Sequence, residues 1–290
     1  MQWERTNPVV VIPTVVVAPA VAVMMEPLTK RSRISTTFRI FYDTETSGRG
    51  CTHFKQARIV ELAAVTEMAA GTALTVCGLT PRKGKLSSLP EGYFSELVAG
   101  GPCTAAATAV HCLRDEDLRY ARPFEDVWSS FVAFAHAAQK NSPTYTTTTA
   151  VSMVGHNSLS TDGYWLLSEL ARCSRSVNEL ALPGRQLVFE DTYPKILETQ
   201  KRLKVNLGIS SLKNSAIHSK LWPHLAVNGE VHTALWDAAA TRDNWRGSIH
   251  VRQSAQRVSS DQQQGRWAVV QAQNRLDALP AVDVSDGEEE

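Results

Sequence analysis

The sequence predicts an α/β domain built on a mixed β-sheet. Short apolar runs typical of buried strands come first, and helical patterns alternate with further strands after them. Acidic residues follow one of the first strands directly and recur near the starts of two predicted helices. Strands followed by alternating helices and strands are typical of a mixed sheet flanked by helices.

Each element follows from a local pattern. Apolar runs predict strands at residues 38–42, 59–65, 72–79, 151–154 and 187–189. The first three are adjacent, so we expect them to form an antiparallel meander. Residues 83–108 are rich in glycine and proline and predict a loop. Apolar residues at helical spacing predict helices at 123–136, 162–172 and 233–246.

The composition is that of an ordinary globular protein. Of the 290 residues, 43% are hydrophobic and 20% are charged, which excludes wholesale disorder. The formal net charge of +1 neither supports nor excludes a nucleic-acid partner. The five cysteines include no CxxC pair, so the sequence indicates neither a zinc site nor a disulfide framework and favours a reducing compartment.

The first candidate site is a pair of carboxylates at the end of the first strand. Asp43 and Glu45 lie two residues apart, so their side chains project from the same face of the strand. Clustered carboxylates repel each other unless a proton or a cation lies between them, and Mg²⁺ prefers such oxygen ligands. The alternative is a strand that ends in a polar turn.

Two further sites lie later in the chain. A predicted strand leads into His156 and Asn157, and Asp162 follows at the start of a helix, where it could also serve as an N-cap. His232 lies near the start of the last predicted helix, and Asp237 lies one to two turns inside it among apolar residues. In the alternative for this third site, His232 and Thr233 cap the helix and Asp237 is a solvated surface acid.

Together the three sites supply four acids and one histidine, each near the end of a predicted strand or helix. Carboxylates of this kind hold the two ions of two-metal phosphodiester hydrolysis, about 4 Å apart. Histidine is suited to removing a proton from water near neutral pH.

At this point the sequence resembles the DEDDh, or DnaQ-like, 3′–5′ exonuclease family. The segments YDTETSG, GHNSLSTD and HTALWDAAAT resemble the three motifs of that family, in the family's order. The spacing from His156 to Asp162 is similar to that of the three-prime repair exonuclease branch. QARIVELAAV, VHCLRDEDLRYARPFEDV and EDT are supporting matches, so the resemblance covers residues 38–246.

The resemblance implies a ribonuclease-H-like mixed five-stranded sheet and a set of site residues. Two Mg²⁺ ions, with Mn²⁺ as a substitute, would be bound by Asp43, Glu45, Asp162 and Asp237. His232 would act as the general base. The strand end would be contacted or oriented by Thr44, Thr46, His156 and Asn157. The products would be nucleoside 5′-monophosphates.

Two positions depart from the family pattern without removing a predicted ligand. Thr161 stands before Asp162 where the family usually has an aromatic residue, and Cys112 replaces a usual glycine. The predicted organisation is a flexible N-terminal extension at 1–34, a DEDDh exonuclease domain at 35–250, and a polar, acidic-ended tail at 251–290.

We therefore expect an intracellular enzyme of the nucleus or cytoplasm that acts on single-stranded or frayed DNA 3′ ends. The alternatives are an RNA 3′-trimming exoribonuclease and a catalytically silent nucleic-acid-binding module on the same fold. No stable membrane association is expected, because the apolar segment at 9–25 is short and contains two prolines. The extension leaves organelle targeting open, and the related branch implies a homodimer.

Overall fold

The computed structural model describes residues 36–48, 57–76, 89–203, 213–222 and 233–261. The strands are β1 (Thr36–Thr46), β2 (Ile59–Thr66), β3 (Tyr93–Leu97), β4 (Thr148–Gly155) and β5 (Gln186–Asp191). The helices are α1 (Ala105–His111), α2 (Asp115–Leu118), α3 (Phe124–Asn141), α4 (Asp162–Arg172), α5 (Thr192–Leu203), α6 (Asn214–Leu221) and α7 (Ala234–Asp261). Short 3₁₀ helices cover Ala73–Val76 and Val177–Leu180.

The strands form one mixed sheet in the order β3-β2-β1-β4-β5. β2 pairs antiparallel with both β1 and β3, and β4 pairs parallel with both β1 and β5. The predicted mixed five-stranded sheet is therefore confirmed. The carboxyl end of the central β1 lies between antiparallel β2 on one side and parallel β4 on the other.

Helices cover both faces of the sheet. One face packs against α3 and α4, in a core that includes Phe38, Ile40, Tyr42, Trp128, Phe131, Leu166 and Leu170. The other face packs against α7, where Ala238 and Ala239 lie against Ala63 and Val65 of β2. Alanine side chains are small, so they let this helix approach the sheet closely, and Trp245 packs further along on Phe41 and Val154.

The predicted third strand is wrong. Within residues 72–79, the structure has a 3₁₀ helix at Ala73–Val76, whose Ala73 N–H donates to Asp243 of α7 at 2.8 Å. Ala73 and Val76 pack against α7, and residues 77–79 of the predicted strand lie outside the described residues. The true third strand is β3, inside the predicted loop at 83–108, where neighbouring Gly92 (φ +85°) and Pro90 hide the strand pattern.

The other predicted strands and helices are confirmed, with longer bounds in several cases, and the predicted loop at 83–108 also contains the start of α1. The helix predicted at 162–172 has the same bounds in α4, whereas α3 extends past its predicted end. α7 continues to Asp261 and so crosses the predicted domain boundary at 250. The predicted extension at 1–34 and residues 262–290 of the predicted tail lie outside the described residues. Among the helices described, none is long and apolar enough to cross a membrane.

Cys112, the residue that replaces a family glycine, ends α1 in a left-handed conformation with φ of 61°. Its N–H donates to the carbonyl of Thr108 at 2.8 Å, as expected of a helix C-cap. Glycine adopts this conformation without the steric cost that a β-carbon brings. A glycine at this position would therefore avoid a steric cost that Cys112 carries.

We expect Cys112→Gly to raise the free energy of unfolding by about 0.5–1 kcal/mol, the relief of left-handed strain less the added entropy of the unfolded glycine. Urea denaturation measures the change. Cys112→Ala is the matched control, because it removes the thiol and keeps the β-carbon. Equal stability of the glycine and alanine variants would contradict the explanation.

Candidate functional site

Three carboxylates from two elements meet at the carboxyl end of β1. Asp43 and Glu45 project to the face of the sheet that α7 covers, and Asp237 comes from the first turns of α7. One oxygen from each of these carboxylates lies within 4.8 Å of the others. The structure thus brings these three predicted acids together, and we call them the acidic triplet.

The acidic triplet is electrostatically unfavourable without a counter-charge. Burial raises the pKa of Asp43 well above its ordinary value, and the nearby charges of Asp162, Asp237 and Glu45 raise it further. Burial raises the pKa of Asp237 to about 7. A divalent cation would remove this repulsion, and hard cations take oxygen ligands of this kind. The donor set therefore fits a metal such as Mg²⁺ or Mn²⁺.

Asp162, the fourth predicted ligand, is held on the opposite side of β1. Its Oδ1 accepts hydrogen bonds from the Thr44 hydroxyl at 2.6 Å and the Thr44 N–H at 3.2 Å. Its Oδ2 accepts one from the Thr161 hydroxyl at 2.9 Å. Burial raises the pKa of Asp162, and these hydrogen bonds lower it. Thr161, where the family has an aromatic residue, therefore contributes a donor to Asp162.

Glu61 is a fifth acid at this site that the sequence reasoning missed. It lies on β2 directly opposite Glu45 and is 1% exposed. Its carboxylate accepts hydrogen bonds from the Ser95 hydroxyl at 2.9 Å and from the N–H of Ala234, the first residue of α7, at 3.3 Å. Burial raises its pKa to about 7. The available signal was a single acid within an apolar strand, which must find a partner when buried.

The predicted substrate residues of the second motif lie in a loop that Asp191 organises. The Asp191 carboxylate accepts the N–H groups of Asn157 at 2.8 Å and Leu159 at 3.1 Å. Asn157 is exposed and adopts φ of 57°. His156 Nδ1 lies 2.7 Å from the hydroxyl of Thr192, so its ring is anchored to the start of α5. Substrate contact by His156 and Asn157 stays a prediction.

The other two predicted substrate residues lie at the end of β1. The Thr44 hydroxyl is engaged by Asp162, and Thr44 is buried. The Thr46 hydroxyl donates to the carbonyl of Gly48 at 2.7 Å. Buried His111 accepts the N–H of Leu113 at Nδ1, so Nε2 carries the proton and donates to the carbonyl of Thr46 at 3.1 Å. Nucleotide contact by Thr44 and Thr46 stays a prediction.

His232, the predicted general base, lies outside the described residues. Thr233, which follows it, has its hydroxyl 3.2 Å from the N–H of Trp236 and accepts a hydrogen bond there. Its carbonyl accepts the N–H of Asp237 at 3.0 Å. Thr233 therefore caps α7, as one reading of the sequence predicted, and the same cap fixes the turn that carries Asp237.

Asn214 is a second residue that the sequence reasoning missed. Its side-chain amide lies 3.2 Å from Oδ1 of Asp237 and donates a hydrogen bond to it. Asn214 is the first residue of α6, so it reaches Asp237 from a different helix. An isolated asparagine before an apolar stretch carries no sequence signal of such a contact.

Comparison with known proteins gives similarity to solved structures. No family model matches the chain, and no curated protein matches it significantly. One similar structure is the nuclease domain of 3'hExo bound to rAMP, described as a DEDDh family member, with 11% identity over 75% of this chain and 93% of that one and a TM-score of 0.48.

Two other similar structures are also nucleases. The zinc-bound complex of E. coli ExoI with single-stranded DNA has 14% identity over 76% of this chain and 41% of that one, with a TM-score of 0.48. Cell-death related nuclease 4 has 12% identity over 73% of this chain and 63% of that one, with a TM-score of 0.47. This chain thus spans less than two thirds of either protein. At these identities and scores, the functional argument depends on the residues of the site.

The acidic triplet predicts that the metal-free protein loses stability as the pH rises. The pKa of Asp237 is raised to about 7 in the folded state, against about 3.9 in an unfolded chain. Below about pH 4, the Asp237 carboxyl is protonated in both states and costs no stability. Between about pH 4 and about pH 7, it ionises freely only in the unfolded state, so the free energy of unfolding falls as the pH rises. In EDTA, we expect Asp237→Asn to flatten the fall in the free energy of unfolding between about pH 5 and about pH 8.

Urea denaturation across this pH window measures the effect. Asp126→Asn, at an exposed position on α3, is the matched control and should leave the slope unchanged. Saturating Mg²⁺ should also flatten the wild-type slope. A slope that is equal in the wild type and in Asp237→Asn would contradict the repulsion within the acidic triplet.

Thr44→Val tests the support of Asp162. Valine keeps the shape of threonine and removes the hydroxyl that lies 2.6 Å from Asp162. We expect the free energy of unfolding to fall by about 1–2 kcal/mol, because a hydrogen bond to a carboxylate contributes about 1.5–3 kcal/mol and the backbone N–H of Thr44 remains. Thr147→Val is the control, since that exposed hydroxyl donates only to a turn carbonyl. A smaller loss for Thr44→Val than for the control would contradict the assignment.

Proposed function

We propose that this protein is a metal-dependent 3′–5′ exonuclease that releases nucleoside 5′-monophosphates from single-stranded or frayed DNA ends. The observation that carries the proposal is the acidic triplet, with one oxygen of each of Asp43, Glu45 and Asp237 within 4.8 Å of the others. Asp162 lies close enough to raise the pKa of Asp43. Four buried or half-buried acids at one strand end are the donor set of phosphodiester hydrolysis by divalent ions.

The metal would be held by the acidic triplet, with Asp162 in support. When bound, divalent ions supply charge for the phosphate oxygens and lower the pKa of water. The protein's own residues fix the ligand positions. β1 sets the two-residue separation of Asp43 and Glu45, the Thr233 cap sets the turn of Asp237, and Thr44 fixes Asp162.

His232 is the proposed general base. It immediately precedes Thr233, which caps the helix that carries Asp237. Its imidazole would take a proton from the attacking water as oxygen bonds to phosphorus. The bond between phosphorus and the 3′-oxygen of the penultimate nucleotide breaks, and that oxygen gains a proton. The product is a nucleoside 5′-monophosphate and a strand shorter by one nucleotide.

The proposed preference for DNA ends follows from the resemblance to the three-prime repair exonuclease branch and not from a residue of the site. An RNA enzyme would have to accommodate the 2′-hydroxyl. Both strands therefore belong in the test.

The test is digestion of DNA and RNA single strands of one sequence, each labelled at either the 5′ or the 3′ end. We expect the 3′-labelled DNA to release labelled mononucleotide first and the 5′-labelled DNA to shorten in single steps. EDTA should abolish release, because the acidic triplet depends on its ion. Asp43→Asn should reduce the rate by more than about 100-fold, since even the loss of an outer-shell partner costs 10–100-fold.

Asp126→Asn controls for the loss of an acid elsewhere and should retain full activity. Circular dichroism of each variant establishes that it is folded. Faster release from RNA would replace the DNA assignment with an exoribonuclease. Strand binding without release from either nucleic acid, by the folded wild type with Mg²⁺, would refute the enzyme and leave a binding module.

A further inference from the structure

The contact between Asn214 and Asp237 joins α6 to the helix that carries a predicted metal ligand. The Asn214 amide nitrogen lies 2.8 Å from the backbone carbonyl of Asp237 and 3.2 Å from its Oδ1. The same nitrogen lies 3.0 Å from the hydroxyl of Thr241, one turn further along α7. Asn214 is only 9% exposed, so these contacts form inside the packed boundary between the two helices.

The orientation of the Asn214 amide is determined by its neighbours on both sides. A carbonyl and a carboxylate only accept hydrogen bonds, so the NH₂ group must face Asp237. On the other side, the amide nitrogen of Asn244 lies 2.8 Å from Oδ1 of Asn214 and donates to it. Asn244 therefore donates to Asn214, and Asn214 in turn donates to Asp237 of the acidic triplet.

We propose that Asn214 is a positioning residue that orients the Asp237 carboxylate for metal binding, and that Asn244 in turn fixes the Asn214 amide. The proposal rests on the proposed function, because it takes Asp237 as a metal ligand. Asparagine is neutral, so its donor stabilises the carboxylate without neutralising it. A lysine or arginine at this position would supply a positive charge that competes with the cation.

Packing and positioning make different predictions for this contact. If Asn214 only packed α6 on α7, then losing any hydrogen bond of its amide would change stability and leave metal affinity alone. Thr241 makes such a bond and is fully buried, but it is not a predicted ligand. Thr241→Val is therefore the matched control, because it alters the same amide and the same helix boundary while leaving the carboxylate contact in place.

The test compares the full-length wild type, Asn214→Ala and Thr241→Val by calorimetric titration with Mn²⁺, after removal of metal with EDTA and dialysis. We expect Asn214→Ala to weaken Mn²⁺ binding by about 10–100-fold, the range found when a partner of a metal ligand is removed. Thr241→Val should change it by less than about 2-fold, within the usual effect of a contact outside the site. Urea denaturation in EDTA gives the loss of stability of each variant separately.

Unchanged Mn²⁺ affinity in Asn214→Ala, or an equal loss in Thr241→Val, would overturn the proposal. If Asn214→Ala fails to fold, Asn244→Ala tests the next hydrogen bond in the same series. Unchanged Mn²⁺ affinity in Asn244→Ala would then overturn the proposal. A wild type that binds Mn²⁺ but digests no strand would refute only the proposed enzyme and leave this inference testable. A wild type that binds no Mn²⁺ would overturn both.

Discussion

The clustering of like charges at the carboxyl end of β1 is the constraint to which the surrounding structure responds. Asp43 and Glu45 project towards α7, where they meet Asp237, and Thr44 between them projects the other way to hold Asp162. Because successive side chains of a strand point to opposite faces of the sheet, Asp43 and Glu45 lie on one face and Thr44 on the other. Burial then makes the repulsion costly, because charges interact more strongly away from water.

The donors that reach these acids share one chemical property. Asp162 is bound by hydroxyls, Glu61 by a hydroxyl and a backbone N–H, and Asp237 by an amide. Neutral donors stabilise carboxylates while leaving their charge available to a cation. These bonds join α4 to β1, β3 to β2, and both β2 and α6 to residues of α7, so the donors that support the acids also connect elements of the fold.

The two departures from the family pattern have structural explanations. Thr161 donates its hydroxyl to Asp162. Cys112 ends a helix with its backbone in the left-handed conformation, so the steric cost of its β-carbon is a backbone effect. Cys112 is not part of the acidic triplet. Neither substitution removes a donor or an acid from the site.

The sequence by itself determined the mixed sheet, the helices α3, α4 and α7, and four of the acids (Asp43, Glu45, Asp162 and Asp237), because strand and helix periods and motif spacing are local properties. It missed β3 because glycine and proline surround that strand, and it took residues 72–79 for a strand because an apolar run does not say what buries it. Only the tertiary structure decided that Glu61 faces Glu45 and that Asn214 reaches Asp237. Both contacts join residues far apart in the chain, so they depend on strand pairing and helix packing, which no local pattern encodes.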